Sequence, residues 1–307
     1  MIRYLGYKIN KNHIPEKENT MIRDIFASKN NLLSFEVFPP KKDDDFKNVF
    51  NTIDELSELK PDFISVTYGA GGSNSKKTLD VASYIQNKKG IDALCHMTCV
   101  GYTKADLDRA LDDFDAAFLH NVLALRGDRP ISMSDEQFNN REFMYANEMV
   151  EYIRNKKGDS VCIGGACYPE KHPESKSLED DIYNIKRKVD AGLDFMTTQM
   201  CFDNELFLRY FDMLDRHGIT IPVTCGIMPI VKANQLGRSV TLSGSSVPKK
   251  LSDIIALHGE DPDEMFKYGT QYAADQINDL RSHGVRGIHI YAMNNARTVR
   301  SILKLLD

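Results

Sequence analysis

The sequence predicts a single-domain α/β fold, a (β/α)8 TIM barrel with an extra segment between strands 7 and 8. Three features carry that expectation. Eight short apolar runs recur along the chain, amphipathic segments separate them, and glycines close several of those segments just before the next run. The runs are Leu32–Phe38, Phe63–Tyr68, Ala93–Cys99, Asn121–Leu125, Val161–Tyr168, Phe195–Met200, Pro222–Pro229 and Gly287–Met293. They are rich in Val, Ile, Phe and Thr, and several are continuous rather than alternating, as in parallel strands buried on both faces.

Between the fifth and sixth runs, Glu174–Ala191 shows helical spacing. Leu178, Ile182, Ile185 and Val189 form one stripe, and Asp181, Asn184 and Lys188 form another beside it. Helix ends are expected at Gly90, Gly158, Gly192, Gly218 and Gly284, several with basic residues in the preceding turn, which suits the negative end of the helix dipole. The long interval before the last run holds Val231–Leu257, with its SGSS stretch, as the extra segment. A doubly wound sheet would need a switch point and usually a Gly-rich nucleotide fingerprint, and neither is evident. Residues 1–20 read as a polar N-terminal extension without the apolar core of a secretory signal, and 21–307 as the catalytic barrel.

Composition narrows the function classes. The 307 residues are 42% hydrophobic and 27% charged, which suits a folded globular chain. With 39 Lys+Arg against 44 Asp+Glu, the net charge of −5 offers no basic surplus for nucleic acid. No apolar run approaches membrane-spanning length. The six cysteines form no CxxC pair and fall in apolar runs, so reduced, buried thiols in a cytoplasmic protein are expected. His96 and Cys99 have no further ligand cluster, so no metal is expected.

In a (β/α)8 barrel the working groups sit at the C-terminal strand ends and the loops after them. There the sequence places Glu36, Thr67 and Tyr68, His96, Arg126 and Asp128, Tyr168 and His172, Gln199, Gly226 and Met228, and Asn294. Singly each has a bland reading: His96 as a satisfied core histidine, GAGGS as a tight turn, Asp43–Asp45 as a charged first helical turn. A carboxylate between Phe35 and Phe38 is costly without a partner. Ser34 and Phe38 share its face and Phe35 and Val37 take the other, a half-apolar setting that favours the protonated acid. The convergence predicts a mouth with one acid, an Arg–Asp pair, aromatics and an amide.

SFEVFPPK, SVTYGAGGS, CHMTC, LALRGD, the CYPEKHPES…DIYNIKRKVDAGLDFMTTQ run and CGIMP resemble methylenetetrahydrofolate reductase of the bacterial single-domain type, in order from about Met21 to the C-terminus. The resemblance implies an FAD flavoprotein of one-carbon and methionine metabolism. It would take electrons from NADH or NADPH and reduce 5,10-methylenetetrahydrofolate to 5-methyltetrahydrofolate by a ping-pong mechanism, without the C-terminal regulatory domain of eukaryotic members. Matched residue by residue, Thr67, Tyr68, Ala70, His96, Arg126, Gly127, Asp128, Tyr145, Ala146, Tyr168, His172, Asp181, Asn184, Arg187 and Lys188 fit the flavin-binding pattern. Asp128, Gln199 and Gln235 fit substrate contacts, with Gln199 also serving the nicotinamide. Glu36 is the implied general acid, and Asp128 the carboxylate beside flavin and pterin.

The chain departs from the family pattern at Ser239, where an aromatic residue stands elsewhere, and at Asn295, where an arginine does; Arg297 lies two residues further on. These departures keep two other readings open: a flavin subunit of a larger complex reduced by a protein partner, and a flavin-free folate-binding methyltransferase or aldolase barrel. A homo-oligomer is also open.

Overall fold

A computed structural model of the chain describes residues 3–4, 7–8, 20–40, 42, 45–68 and 75–306. Eight parallel strands close into a barrel: β1 (Leu32–Val37), β2 (Phe63–Val66), β3 (Asp92–Thr98), β4 (Asn121–Leu125), β5 (Cys162–Cys167), β6 (Phe195–Thr198), β7 (Val223–Ile227) and β8 (Gly287–Tyr291). They follow one another in chain order around the ring, and β8 returns to pair with β1. All eight expected runs are strands, each trimmed by no more than a few residues at its ends. The predicted helix-ending glycines at 90, 158, 192, 218 and 284 all take positive φ.

Period-two alternation assigns each strand two faces. Phe35, Val37, Ile64, Val66, Cys95, Met97, Ile163, Cys225, Ile288 and Ile290 belong to one large cluster shared with the surrounding helices. Residues in the opposite phase face inward, and their character changes along the barrel axis. At the N-terminal ends, Leu32, Phe63, Leu94, Leu123, Cys162 and Phe195 pack with Ile22, Ile25 and Phe26 of α1 (Ile22–Ser28). The α1 helix thus stoppers the barrel bottom, and the Ile22 amide donates to Asn121 Oδ1 at 2.9 Å. One step up, Ser34, Ser65, His96, Thr197, Thr224 and His289 are all buried. The continuous apolar reading therefore holds for the outer face, whereas the inner face turns polar halfway along.

The surrounding helices follow the strands in chain order. α2 (Phe46–Ser57) follows β1. The next, α3 (Ser75–Tyr84), runs into a π-helical turn at Ile85–Lys89 that ends on Gly90. After β3 and β4 come α4 (Lys104–Ala116), α5 (Asp135–Asn139) and α6 (Ala146–Lys157). Next, α7 (Leu178–Asp190) occupies the predicted amphipathic segment, with Asp181, Ile182 and Ile185 buried, and α8 (Asn204–Arg216) follows β6. The expected extra segment is α9 (Ala233–Ser243) and α10 (Lys249–His258), ahead of α11 (Pro262–Ser282) and, after β8, α12 (Ala296–Leu303). α9 to α11 enclose a smaller apolar cluster of Phe202, Met228, Ile230, Leu251 and Met265.

All six cysteines are free and buried, as their apolar settings predict. Among the described residues no helix is long and apolar enough to cross a membrane. Asp45 is the N-cap of α2, while Asp43, Asp44, Ala70 and the rest of the GAGGS turn lie outside the described residues.

Phe195 is fully buried at the barrel bottom, 5.6 Å from the Phe26 ring and 6.2 Å from the Phe63 ring between centroids. Truncating it leaves a cavity that the closed ring cannot collapse to fill. Phe195→Ala is expected to cost about 3–5 kcal/mol, measured by urea unfolding. A loss below about 1 kcal/mol would show that the stopper contributes little.

Candidate active site

Glu36 is the last inward residue of β1, flanked in register by Tyr291 on β8 and Ser65 on β2. Its Oε2 lies 3.5 Å from His96 Nε2 and 3.6 Å from His289 Nε2. His289 is fixed from behind, with Nδ1 2.7 Å from Ser34 Oγ, while its Nε2 lies 3.5 Å from Ser65 Oγ. Side-chain exposure ranks Glu36 first at 17%, then His96 at 8% and His289 at 1%. The carboxylate is therefore the member of the cluster most open to the mouth.

This setting corrects the expectation of a half-apolar site that favours the protonated acid. Burial does push the Glu36 carboxyl up. It is outweighed by the contact from His289, the positive potential of His96 and His289, and a hydrogen bond from Ser65, so the carboxyl is held below its ordinary value. Burial drives His96 the other way from an ordinary imidazole, toward the neutral ring, against the pull of Glu36. At 3.5 Å the His96–Glu36 contact is too long for a good hydrogen bond, and His96 Nε2 is buried with no hydrogen-bond partner. Glu36 and His96 are close enough to titrate as a pair.

A second cluster forms across the mouth on the β4 and β5 loops. Arg126 Nη1 and Nη2 donate to both oxygens of Glu174 at 2.5 and 2.8 Å, a bidentate pair that raises the Arg126 pKa. Asp128 is exposed and adds to the negative potential at Arg126 and Tyr168. Gly127 has φ +81, and a Cβ there would lie 2.7 Å from Thr98 Cβ, so only glycine lets this loop lie on β3. Tyr168 meets the His172 ring edge-on at 4.8 Å. Burial and Asp181 push the Tyr168 phenol up to about 12. Asp181, on α7, accepts from the His172 amide and from Ser175 Oγ, both at 3.0 Å. Lys188, about two turns further on, donates to the Ala166 carbonyl, and burial lowers its pKa.

The remaining predicted residues divide. Tyr68 Oη pairs with Tyr102 Oη at 2.8 Å, and the Thr67 carbonyl accepts from Thr78. Gln199 turns its Oε1 onto the amide of Met200. Gln235 caps α9, its Oε1 accepting from the Val231 and Lys232 amides. Tyr145 and Ala146 begin α6, with Tyr145 52% exposed, and Asn184 and Arg187 line α7. Asn295 is the N-cap of α12, so its amide is committed to the Thr298 amide, and the Arg297 guanidinium lies over the Phe266 ring at 4.6 Å. Asn294 clips Phe38, accepting from its amide at 3.0 Å and donating to its carbonyl at 2.9 Å.

Sequence reasoning missed His289, Ser65, Tyr102, Tyr291 and Glu174. For His289 and Tyr291 a signal existed: in GIHIY they occupy one phase of an otherwise apolar strand. At Gly226, a Cβ would lie 2.5 Å from the Thr198 carbonyl and 2.8 Å from Tyr291 Oη, which packs the β6 to β8 tips tightly.

Residues 21–307 match the family described as methylenetetrahydrofolate reductase. The 5,10-methylenetetrahydrofolate reductase of Buchnera aphidicola is 34% identical over 300 residues, covering 96% of this chain and 99% of that protein. Methylenetetrahydrofolate reductase (NADH) 1 of Arabidopsis thaliana is 32% identical over 291 residues and 92% of this chain, which spans only 49% of the plant protein. Among solved structures, an uncharacterized protein from Clostridium thermocellum that binds two copies of 5-methyl-5,6,7,8-tetrahydrofolic acid overlays with a TM-score of 0.61. It is 14% identical over 93% of this chain and 97% of its own, a likeness of fold. By the match along nearly its whole length, the chain belongs to the methylenetetrahydrofolate reductase family.

Proposed function

We propose that the protein reduces 5,10-methylenetetrahydrofolate to 5-methyltetrahydrofolate, with FAD as cofactor and NADH or NADPH as donor. The observation that carries this reading is the cluster of Glu36, His96 and His289 at the barrel mouth, in a chain of this family.

Three features support FAD. His96 Nε2 is buried without a hydrogen-bond partner and can accept one from a ligand. Arg126, Arg187 and Lys188 supply cationic donors of the kind that pair with phosphates, and Asn184 adds an amide. Gly127 lets the loop that carries Arg126 and Asp128 lie directly against β3. Thr67, Tyr68, Tyr145, Ala146, Tyr168, His172 and Asp181 complete the proposed cofactor set. When bound, FAD supplies the hydride carrier that serves nicotinamide and folate in turn.

The chain's own work is proton transfer and orientation. The substrate's five-membered ring opens to the N5 iminium more readily when N10 is protonated, and Glu36 is the most exposed member of the cluster able to deliver that proton. Burial pushes Glu36 and His96 toward their neutral forms while their mutual attraction favours the ion pair. A single proton can therefore pass between them at small cost. The Asp128 carboxylate stabilises the developing cation electrostatically. Since Gln199 and Gln235 both commit their Oε1 atoms to backbone amides, each has its NH2 group to offer to acceptor atoms of the pterin.

One reading competes for the electron donor. Asn295 caps a helix and Arg297 covers Phe266, so neither is poised at the mouth in the family's manner, and Ser239 replaces an aromatic ring. Reduction by a protein partner is the alternative. Anaerobic stopped-flow mixing separates the two: the purified protein should show a flavin spectrum that NADH or NADPH bleaches promptly. A bound flavin that neither nicotinamide reduces would favour the partner, and a colourless protein unable to take up FAD would remove the flavin reading.

Glu36→Gln should leave reduction of the flavin by nicotinamide near the wild-type rate and slow its reoxidation by the folate about 10²–10⁴-fold. Unimpaired folate turnover in that variant would take Glu36 out of the mechanism. His289→Ala removes the largest of the interactions that lower Glu36. The carboxyl then titrates at higher pH, so the alkaline fall of the folate half-reaction should move upward. A fall that stays in place, or moves down, would separate His289 from the acid.

A further inference from the structure

The loop from Tyr168 to Ser177 carries two of the proposed flavin contacts, Tyr168 and His172, and through Glu174 it also holds Arg126. At its centre stands a lysine with no part in the scheme above. Lys171 Nζ lies 2.8 Å from the Ser175 carbonyl, 3.2 Å from that of His172 and 3.4 Å from that of Pro173. Three carbonyl dipoles thus converge on one point. They would repel one another unless a positive charge sat among them, and here the loop's own side chain supplies it. Lys171 accepts an unusual backbone to do so, with φ +89, a region that disfavours any residue with a Cβ.

The rest of the loop is built outward from this knot. The Lys171 amide donates to the Tyr168 carbonyl at 3.1 Å, and the Ser175 amide to that of His172 at 3.0 Å. The Glu174 amide donates to His172 Nδ1 at 3.1 Å, so in the neutral ring the hydrogen sits on Nε2. Burial, followed by the neighbouring Arg126 charge, lowers the His172 pKa and favours that neutral ring. The turn thereby sets both the tautomer of His172 and the placement of the Glu174 carboxylate against Arg126.

We propose that Lys171 is a positioning residue for the flavin end of the mouth, its ammonium serving as a built-in cation that gathers the carbonyls of His172, Pro173 and Ser175. The inference rests on the flavin reading above. It also implies a vacancy of defined chemistry. Lys171→Ala removes three methylenes and an ammonium, and n-propylammonium replaces those atoms.

The test measures FAD retention by the holoenzyme on dilution, from flavin fluorescence, with thermal melting as a check on folding. Lys171→Ala should raise the FAD dissociation constant about tenfold, on the order expected for losing charge-assisted hydrogen bonds. Millimolar n-propylammonium should restore it, and tetramethylammonium at equal ionic strength should not. Lys171→Gly, which relieves the backbone but also lacks the ammonium, should lose affinity as the alanine variant does. FAD held as tightly by Lys171→Ala as by the wild type would overturn the proposal. So would a loss that n-propylammonium fails to reverse, or wild-type affinity in Lys171→Gly, since either would leave only packing or backbone strain. A wild-type protein that binds no FAD would instead refute the flavin reading on which the proposal stands.

Discussion

A carboxylate buried at the closure seam of a barrel needs partners, and the molecule is arranged around supplying them to Glu36. Desolvation alone would neutralise the group. Two imidazoles and a serine hydroxyl, from β3, β8 and β2, counter that pressure. The partners are arranged in depth: Ser34 holds His289, and His289 faces Glu36. Below them the interior becomes apolar, and α1 closes the floor. The polar cluster is thus bounded by packed side chains beneath and by the loops above, and is reachable from one side.

The mouth has two electrostatic ends. β1, β3 and β8 form one end, built around Glu36, His96 and His289. The β4 and β5 loops and α7 form another, with Arg126 and Lys188 balanced by Glu174 and Asp181. The second end is not left as bare positive charge. Arg126 is neutralised by the Glu174 carboxylate, which is itself exposed. Lys171 does the same for carbonyls that would otherwise point at one another.

The fold was readable because its signals are local. Runs such as Asn121–Leu125 and Gly287–Tyr291 announce strands by their own composition, and Gly90 or Gly218 ends a helix through its own φ. Glu36 was found as a candidate for the same reason, since a charge in an apolar run stands out. Its protonation was misread because the deciding residue, His289, is remote in sequence. Gln235 and Asn295 illustrate the reverse problem. Both hold positions that the family pattern ties to substrate, yet their side chains cap helices. Capping is a local role, visible in principle from spacing. Glu174 was invisible because nothing in an exposed glutamate announces the arginine it will meet.

Closure of the ring between its first and last strands has a consequence for biosynthesis. Ser34 and His289 touch across 255 positions of chain, so the cluster around Glu36 is not complete until the ribosome has delivered almost the whole polypeptide. Until then β1 lacks its β8 neighbour along the edge that carries Glu36. Contacts of such long sequence separation form late, so the polar cluster around Glu36 is assembled only as the ring closes.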